Sequence, residues 1–116
     1  MKHMFIGLAA FTAAAVTAGS AVAATPKLTA SVSDPLNISL KIGSKNVSSL
    51  KAGTYTIVVK DTASDHNFHL TGPGVNKKTS VGAKVAAKWI VTLKKGTYKY
   101  VCDPHASFMK GSFTVR

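Results

Sequence analysis

The fold class that the sequence predicts is all-β, in the form of a Greek-key β-sandwich. Over several short stretches the apolar residues recur at every second position, which is the period of a strand with one buried face. Turn-forming residues separate these stretches, and no segment combines helical apolar spacing with capping residues. Many short strands joined by turns are typical of two packed sheets rather than of a helix bundle.

The first 23 residues have the composition of a secretory signal peptide. Lys2 supplies a positive start, an apolar run extends from residue 5 to residue 16, and Ala21-Val22-Ala23 forms a small-x-small cleavage motif. The apolar run is short and interrupted by polar residues, which favours a signal peptide over a membrane anchor. We therefore expect cleavage after Ala23 or Ala24 and export to the periplasm or the extracellular space.

The predicted mature part is one domain, residues 24–116, with no later stretch apolar enough to span a membrane. Its single cysteine, Cys102, excludes an internal disulfide. The whole chain has 15 Lys and Arg against 4 Asp and Glu, a net charge of +11. Because the lysines are spread and only one arginine is present, nucleic acid is not the expected partner. The charge favours an acidic partner or an anionic surface, and solubility alone is the alternative.

Alternating apolar residues place the expected strands in order along the chain. Residues 75–85 are polar and weakly patterned, so no strand is predicted there, and Gly72-Pro73-Gly74 is expected to end the strand before them. The predicted strands are Leu28–Val32, Leu36–Ile42, Tyr55–Val59, His66–Leu70, Trp89–Leu93, Tyr98–Cys102 and Phe113–Val115.

One short segment occurs twice in similar form. Leu50-Lys51-Ala52-Gly53-Thr54-Tyr55 closely matches Leu93-Lys94-Lys95-Gly96-Thr97-Tyr98. A single pair is too few for a repeat protein. We interpret it as one turn-to-strand arrangement used twice within the same sandwich.

The chemistry of the chain is concentrated in the segment that contains its only cysteine. Cys102, His105 and Met109 provide a thiol, an imidazole and a thioether within eight residues, directly after a strand-patterned segment. Soft ligands of this kind select copper over magnesium or calcium. Singly, a buried Cys or Met is more often core filling than a ligand. Their combination favours a metal site.

A second histidine would complete such a site, and the segment Asp65-His66-Asn67-Phe68-His69 offers two. In an extended chain these two histidines face opposite sides. His66 shares parity with Phe68 and Leu70, on the expected core side, so His66 is the favoured candidate. His69 is expected to face solvent, and a role as a ligand of another metal such as zinc is its alternative.

The C-x-x-H-x-x-x-M loop with an upstream His-Asn pair resembles the cupredoxins, most closely their plastocyanin- and pseudoazurin-like branch. The resemblance implies a cupredoxin-like domain with one copper ion held by His66, Cys102, His105 and an axial Met109. Three residues separate the last two of these ligands, where plastocyanins and pseudoazurins have four and amicyanins have two.

Two further positions depart from the plastocyanin pattern. Val101 replaces the tyrosine that plastocyanins carry before the cysteine, which puts a second electron-entry point there in doubt. Asp103 stands where plastocyanins have serine, so the hydrogen bond to the His-Asn segment is expected to differ.

The function expected from these residues is an exported type 1 copper protein that carries one electron and is not an enzyme. A partner protein is expected to dock near His105, which Pro104, Ala106 and Phe108 flank, and the domain is expected to be a monomer. Phe108 packed inward is the alternative for that surface. Copper carriage, storage or resistance without a redox partner, and a metal-free cupredoxin-like binding module, are the alternative functions.

Overall fold

The computed structural model of the protein describes residues 25–116, and the predicted signal peptide lies outside them. Ten strands and one 3₁₀ turn, Asp103–His105, make up the described regular structure. The strands are β1 Lys27–Ser33, β2 Asn37–Ile42, β3 Lys45–Asn46, β4 Ser49–Leu50, β5 Gly53–Asp61, β6 His69–Gly72, β7 Val75–Lys78, β8 Ala86–Leu93, β9 Gly96–Val101 and β10 Lys110–Val115.

The strands form two five-stranded sheets, and the chain crosses repeatedly between them. One sheet has the order β3-β2-β1-β5-β8, and the other has the order β4-β10-β9-β6-β7. Most neighbours are antiparallel, while β1 with β5 and β4 with β10 are parallel pairs. The predicted Greek-key β-sandwich is therefore confirmed.

The core lies between the sheets and consists of the inward-facing half of each alternating strand. Its residues in β5 and β9 show the alternation directly, with buried positions two apart. Two aromatic pairs stack within the core, Tyr98 on Phe113 at 5.3 Å and Phe68 on Tyr100 at 5.4 Å between ring centroids. Such pairs stabilise the fold beyond the area that they bury. Phe68 and Tyr100 each lie two residues from a candidate metal ligand.

The repeated segment is the same structural device at both places, as predicted. Gly53 and Gly96 begin β5 and β9 with positive φ angles of 156° and 146°. Two residues later, each tyrosine hydroxyl bonds the backbone four residues upstream: Tyr55 donates to the Lys51 carbonyl at 2.7 Å, and Tyr98 accepts from the Lys94 amide at 2.8 Å. Gly96 is further constrained, because a Cβ there would approach Pro73 Cγ to 2.7 Å.

Two local expectations were wrong. Val75–Lys78 is a strand, β7, which forms a hairpin with β6 across the Gly72-Pro73-Gly74 turn. It lies at the edge of its sheet and is largely exposed, so no apolar alternation marks it in the sequence. The strand expected over residues 66–70 begins only at His69, and the three residues before it are buried without pairing in a ladder. Among the described residues, no helix has the length and apolar character needed to cross a membrane.

Candidate metal centre

The loop between β9 and β10 carries three of the four candidate ligands. Val101 and Lys110 pair across the two strands, which leaves residues 102–109 as the connection. The Cys102 amide donates to the Met109 carbonyl at 3.0 Å, and the Met109 amide donates to the His105 carbonyl at 2.8 Å. These bonds close the loop on itself, so the spacing of the motif brings its ends together.

His66 reaches this loop because β6 pairs with β9. His69 of β6 is opposite Val101 of β9, and the chain just before β6 therefore passes beside Cys102. His66, Phe68 and Leu70 are all fully buried, as the parity argument predicted.

Three donor atoms converge at this point. The Nδ1 atoms of His66 and His105 are 3.1 Å apart, and Cys102 Sγ lies 3.6 Å from the first and 3.5 Å from the second. The two buried members are Cys102 and His66, and His105 is partly exposed. These three donor atoms are close enough together to hold one metal ion.

The size of this triangle fits a transition-metal ion. From those three separations, its centre lies about 2.0 Å from every corner, close to the bond lengths of about 2.0 Å to nitrogen and 2.3 Å to sulfur in protein zinc sites. A ligand set of two imidazoles and one thiolate in a plane is that of a blue-copper site.

Met109 is fully buried at the end of the loop that carries Cys102 and His105. Its backbone bonds to both Cys102 and His105, so its position is fixed relative to two of the three donors. A thioether is the weak axial ligand of blue-copper sites.

The second nitrogen of His66 is held by a backbone carbonyl. Its Nε2 lies 3.0 Å from the Pro35 carbonyl oxygen, and the carboxylates of Asp34 and Asp65 are 3.2 and 3.7 Å away. Donation from Nε2 to these acceptors fixes the tautomer in which Nδ1 is free to bind metal. Such outer contacts orient a ligand histidine and increase its basicity.

Asn67 joins the two segments that supply the donors. Its Oδ1 accepts from the Asp103 amide at 2.8 Å, and its Nδ2 donates to the Asp103 carboxylate at 2.8 Å and to the Thr79 carbonyl at 3.1 Å. Asp103 was expected to change the hydrogen bond to the His-Asn segment. The structure has two bonds there, one in each direction between Asn67 and Asp103. Asn67 is buried, because the backbone before β6 is not extended into the ladder.

His69 also binds Asp103, a contact that could not be predicted from the sequence. Its Nδ1 lies 2.9 Å from Asp103 Oδ1, and its Nε2 lies 2.7 Å from Asn76 Oδ1. Its side chain is 20% exposed, so it faces outward as expected but is not free. Among the described residues it belongs to neither of the two donor clusters close enough to hold an ion.

The contacts of this pair shift both pKa values. Burial acts to raise the pKa of Asp103, but the hydrogen bonds from His69 and Asn67 outweigh it and the net pKa is lowered. Burial acts to lower the pKa of His69, but the bonds to Asp103 and Asn76 outweigh it and the net pKa is raised. Both shifts favour the charged pair.

All four acidic residues of the chain lie around this site. Asp34 and Asp65 flank His66, and Asp103 follows Cys102. Asp61 is buried near His66; its Oδ1 accepts from the Ala63 amide, and its Oδ2 has no partner among the described residues. Burial raises the pKa of Asp61, although the Ala63 bond and the charge of His66 oppose the shift. This convergence balances positive charge locally in an otherwise basic molecule.

The surface next to the site is apolar. Phe108 is 75% exposed, which rules out the inward-packed alternative, and Pro104 and Ala106 are exposed on either side of the partly exposed His105. Leu36, which follows the carbonyl that holds His66, is 47% exposed.

Comparison with known structures finds the same fold. Reduced rusticyanin matches with a TM-score of 0.58 and 20% identity, covering 83% of this chain and 82% of that one. A histidine-to-methionine variant of rusticyanin matches with a TM-score of 0.60 and 20% identity over 83% and 80% of the two chains. Rusticyanin from Thiobacillus ferrooxidans gives 0.54 and 20% identity over 78% and 76%.

The sequence itself also identifies a family. No curated protein matches the chain. A family model described as copper binding proteins, plastocyanin/azurin family, matches residues 33–116, which include the whole of the candidate site. With a donor set suited to copper and the fold of rusticyanin, this chain belongs to the plastocyanin/azurin family of copper-binding proteins, the cupredoxins, and it binds one copper ion.

Proposed function

We propose that the protein is an exported type 1 copper protein that acts as a soluble one-electron carrier. His66, Cys102 and His105 are the three in-plane ligands, and Met109 is the axial ligand. Within the family, the C-x-x-H-x-x-x-M loop favours the plastocyanin- and pseudoazurin-like branch. Bound copper supplies a Cu(II)/Cu(I) couple that accepts and releases one electron.

The observation that carries this proposal is the convergence of three donor atoms, from His66, Cys102 and His105, at one place. The atoms lie 3.1 to 3.6 Å apart in a largely buried position, and backbone and side-chain bonds hold each segment that supplies them. Ligands that such bonds hold in place need little reorganisation when the charge of the ion changes. Four surrounding ligands leave no position for a substrate, so the proposal is a carrier and not an enzyme.

Electrons are proposed to pass through His105. Its imidazole is the partly exposed ligand, and the exposed Phe108 beside it offers an apolar contact suited to brief docking. The domain carries a formal charge of +10, since the chain total of +11 includes Lys2 of the predicted signal peptide. A redox partner with an acidic surface would be steered toward such a domain. We propose a monomer in the periplasm or outside the cell.

Titration of the mature domain with Cu(II) tests the site. We expect one equivalent to bind with an intense visible thiolate-to-copper band, and Cys102→Ser to abolish that band. His66→Ala is expected to lose the blue site, while His69→Ala keeps a thiolate band. An unchanged spectrum in Cys102→Ser would exclude the ligand assignment.

A second measurement separates carriage of electrons from carriage of metal. A soluble c-type cytochrome with an acidic surface is mixed with the copper-loaded protein, and the loss of the visible band is followed by stopped flow. A second-order reaction that reduces all of the Cu(II) supports the role of an electron carrier. A loaded protein that exchanges no electrons with any cytochrome donor, but delivers copper to a chelating acceptor, would indicate copper carriage or storage instead.

A further inference from the structure

We propose that His69 is a positioning residue of the copper centre, which holds the ligand loop in place by bridging Asp103 to Asn76 of the neighbouring strand. This inference rests on the proposed ligation by Cys102 and His105, because Asp103 lies between them. His69 itself binds no metal in this proposal. It acts through the carboxylate that follows the cysteine.

The bridge is defined by three distances. His69 Nδ1 lies 2.9 Å from Asp103 Oδ1 and 3.2 Å from Oδ2, and His69 Nε2 lies 2.7 Å from Asn76 Oδ1. Both nitrogens of the ring thus lie within hydrogen-bond distance of side-chain oxygens, so the ring is held from two sides. The bond to the carboxylate is charge-assisted, which makes it stronger than a bond between neutral groups.

The sheet fixes the position of the ring. His69 lies on β6 between two neighbours, opposite Lys78 of β7 on one side and Val101 of β9 on the other. Asn76 lies on β7, and its Cα partner is Thr71 of β6. His69 and Asn76 are therefore held by two paired strands, β6 and β7. Through Asp103, the bridge ties the ligand loop to this sheet.

Asp103 connects the bridge to the ligands. It follows Cys102 directly and begins the 3₁₀ turn that ends at His105. Its amide is held by Asn67, and its carboxylate is held by Asn67 on one side and His69 on the other. The Asp103 side chain is 41% exposed, so without His69 the carboxylate would be held by Asn67 alone, and its Oδ1 would be free to bond water. The bridge removes that freedom and orients the turn that carries His105.

The test compares three variants with the wild type. His69→Ala removes the bridge, while His69→Gln keeps a donor that can reach Asp103 and serves as the conservative rescue. Thr71→Ala is the matched control, because Thr71 lies on the same strand and the same outer face two residues further on. Asn76→Ala removes only the far anchor of the ring.

The first measurement is the rate at which a chelator removes copper from the loaded protein, with the electron paramagnetic resonance spectrum recorded in parallel. We expect His69→Ala to speed copper loss about tenfold, the lower end of the effect of removing a direct partner of a metal ligand, because His69 acts on the ligands only through Asp103. The copper hyperfine coupling should shift in the same variant. His69→Gln should restore most of both, Asn76→Ala should fall between, and Thr71→Ala should match the wild type.

The second measurement uses the metal-free protein, so it does not depend on the copper proposal. Amide hydrogen exchange of Asp103 and His105 reports how firmly the turn is anchored. We expect faster exchange at both amides in His69→Ala and wild-type exchange in Thr71→Ala. If the variants show this pattern but the wild type takes up no copper, the proposed function is overturned and the anchoring role of His69 remains supported.

Two outcomes would overturn the inference. The first is a His69→Ala variant that melts at a lower temperature but keeps the copper-loss rate, the hyperfine coupling and the exchange of the turn unchanged, since His69 would then only support the sheet. The second is equal loss of all readouts in His69→Gln and His69→Ala, which would exclude the bond to Asp103 as the cause. If His69→Ala does not fold, the comparison of Asn76→Ala with Thr71→Ala decides by the same measurements.

Discussion

Replacing Asn67 with alanine is expected to weaken the fold more than its single side chain suggests. Asn67 is fully enclosed and connects three places: the start of β6, the ligand loop at Asp103 and the chain after β7 at Thr79. Alanine is smaller and apolar, so it cannot bond to any of them. The perturbation therefore removes the link between the segment of His66 and the segment of Cys102.

The magnitude follows from the bonds that are lost. The bond from the Asp103 amide and the bond to the Thr79 carbonyl are between neutral groups and contribute about 1 kcal/mol each. The bond to the Asp103 carboxylate is partly exposed, so we assign it about 0.5–1 kcal/mol after solvent screening. The total is about 3 kcal/mol, which corresponds to a fall in Tm of about 12–24 °C in a domain of this size.

Thermal unfolding of the metal-free mature domain, followed by circular dichroism, measures this change. Asn37→Ala is the matched control, because Asn37 is exposed and its side chain donates a bond of 2.8 Å to the Asp34 carbonyl. We expect the control to lose about 0.5–1 kcal/mol. If Asn67→Ala melts at the same temperature as Asn37→Ala, the link between the two ligand segments does not stabilise the fold, and the reasoning is refuted.

Three further predictions concern the axial ligand, a buried carboxyl and the surface charge. Met109→Gln should keep copper but lower its reduction potential in voltammetry, because an oxygen donor favours Cu(II), and an unmoved potential would remove Met109 from the site. Burial raises the pKa of Asp61, so its ionised form opposes folding at neutral pH. Asp61→Asn should therefore raise the Tm of the metal-free protein at pH 7, and the gain should vanish below about pH 4, where Asp61 is protonated in both states; an equal gain at both pH values would point to packing. The rate of electron exchange with an acidic partner should fall as salt rises, since the Debye length is about 10 Å at 0.1 M. A rate independent of salt would leave the lysines a role in solubility alone.

The local features of the chain could be predicted from the sequence, because they depend on neighbouring residues. Alternation of apolar positions is a period-two signal that marks each buried strand face without knowledge of its partners. The repeated Gly-Thr-Tyr segment is equally local, since each tyrosine hydroxyl bonds backbone only four residues away. The spacing of Cys102, His105 and Met109 needed only one loop closed by one pair of strands.

What only the tertiary structure decided depends on register and on groups far apart in the chain. Cys102 and His66 are 36 residues apart and meet because His69 of β6 pairs with Val101 of β9. That same register places His69 beside Asp103, and the pairing of β6 with β7 brings Asn76 within reach. A histidine expected to face solvent thus becomes part of a network.

The distribution of charge could likewise be predicted only in part from the sequence. The excess of lysine is visible in the sequence, but the gathering of all four aspartates around the site is not, since they are separated along the chain. The edge strand β7 also escaped prediction, because an exposed strand carries no apolar alternation. Sequence patterns report which side of a segment is buried, whereas the contacts that orient ligands arise from strand pairing, and pairing is a property of the folded chain.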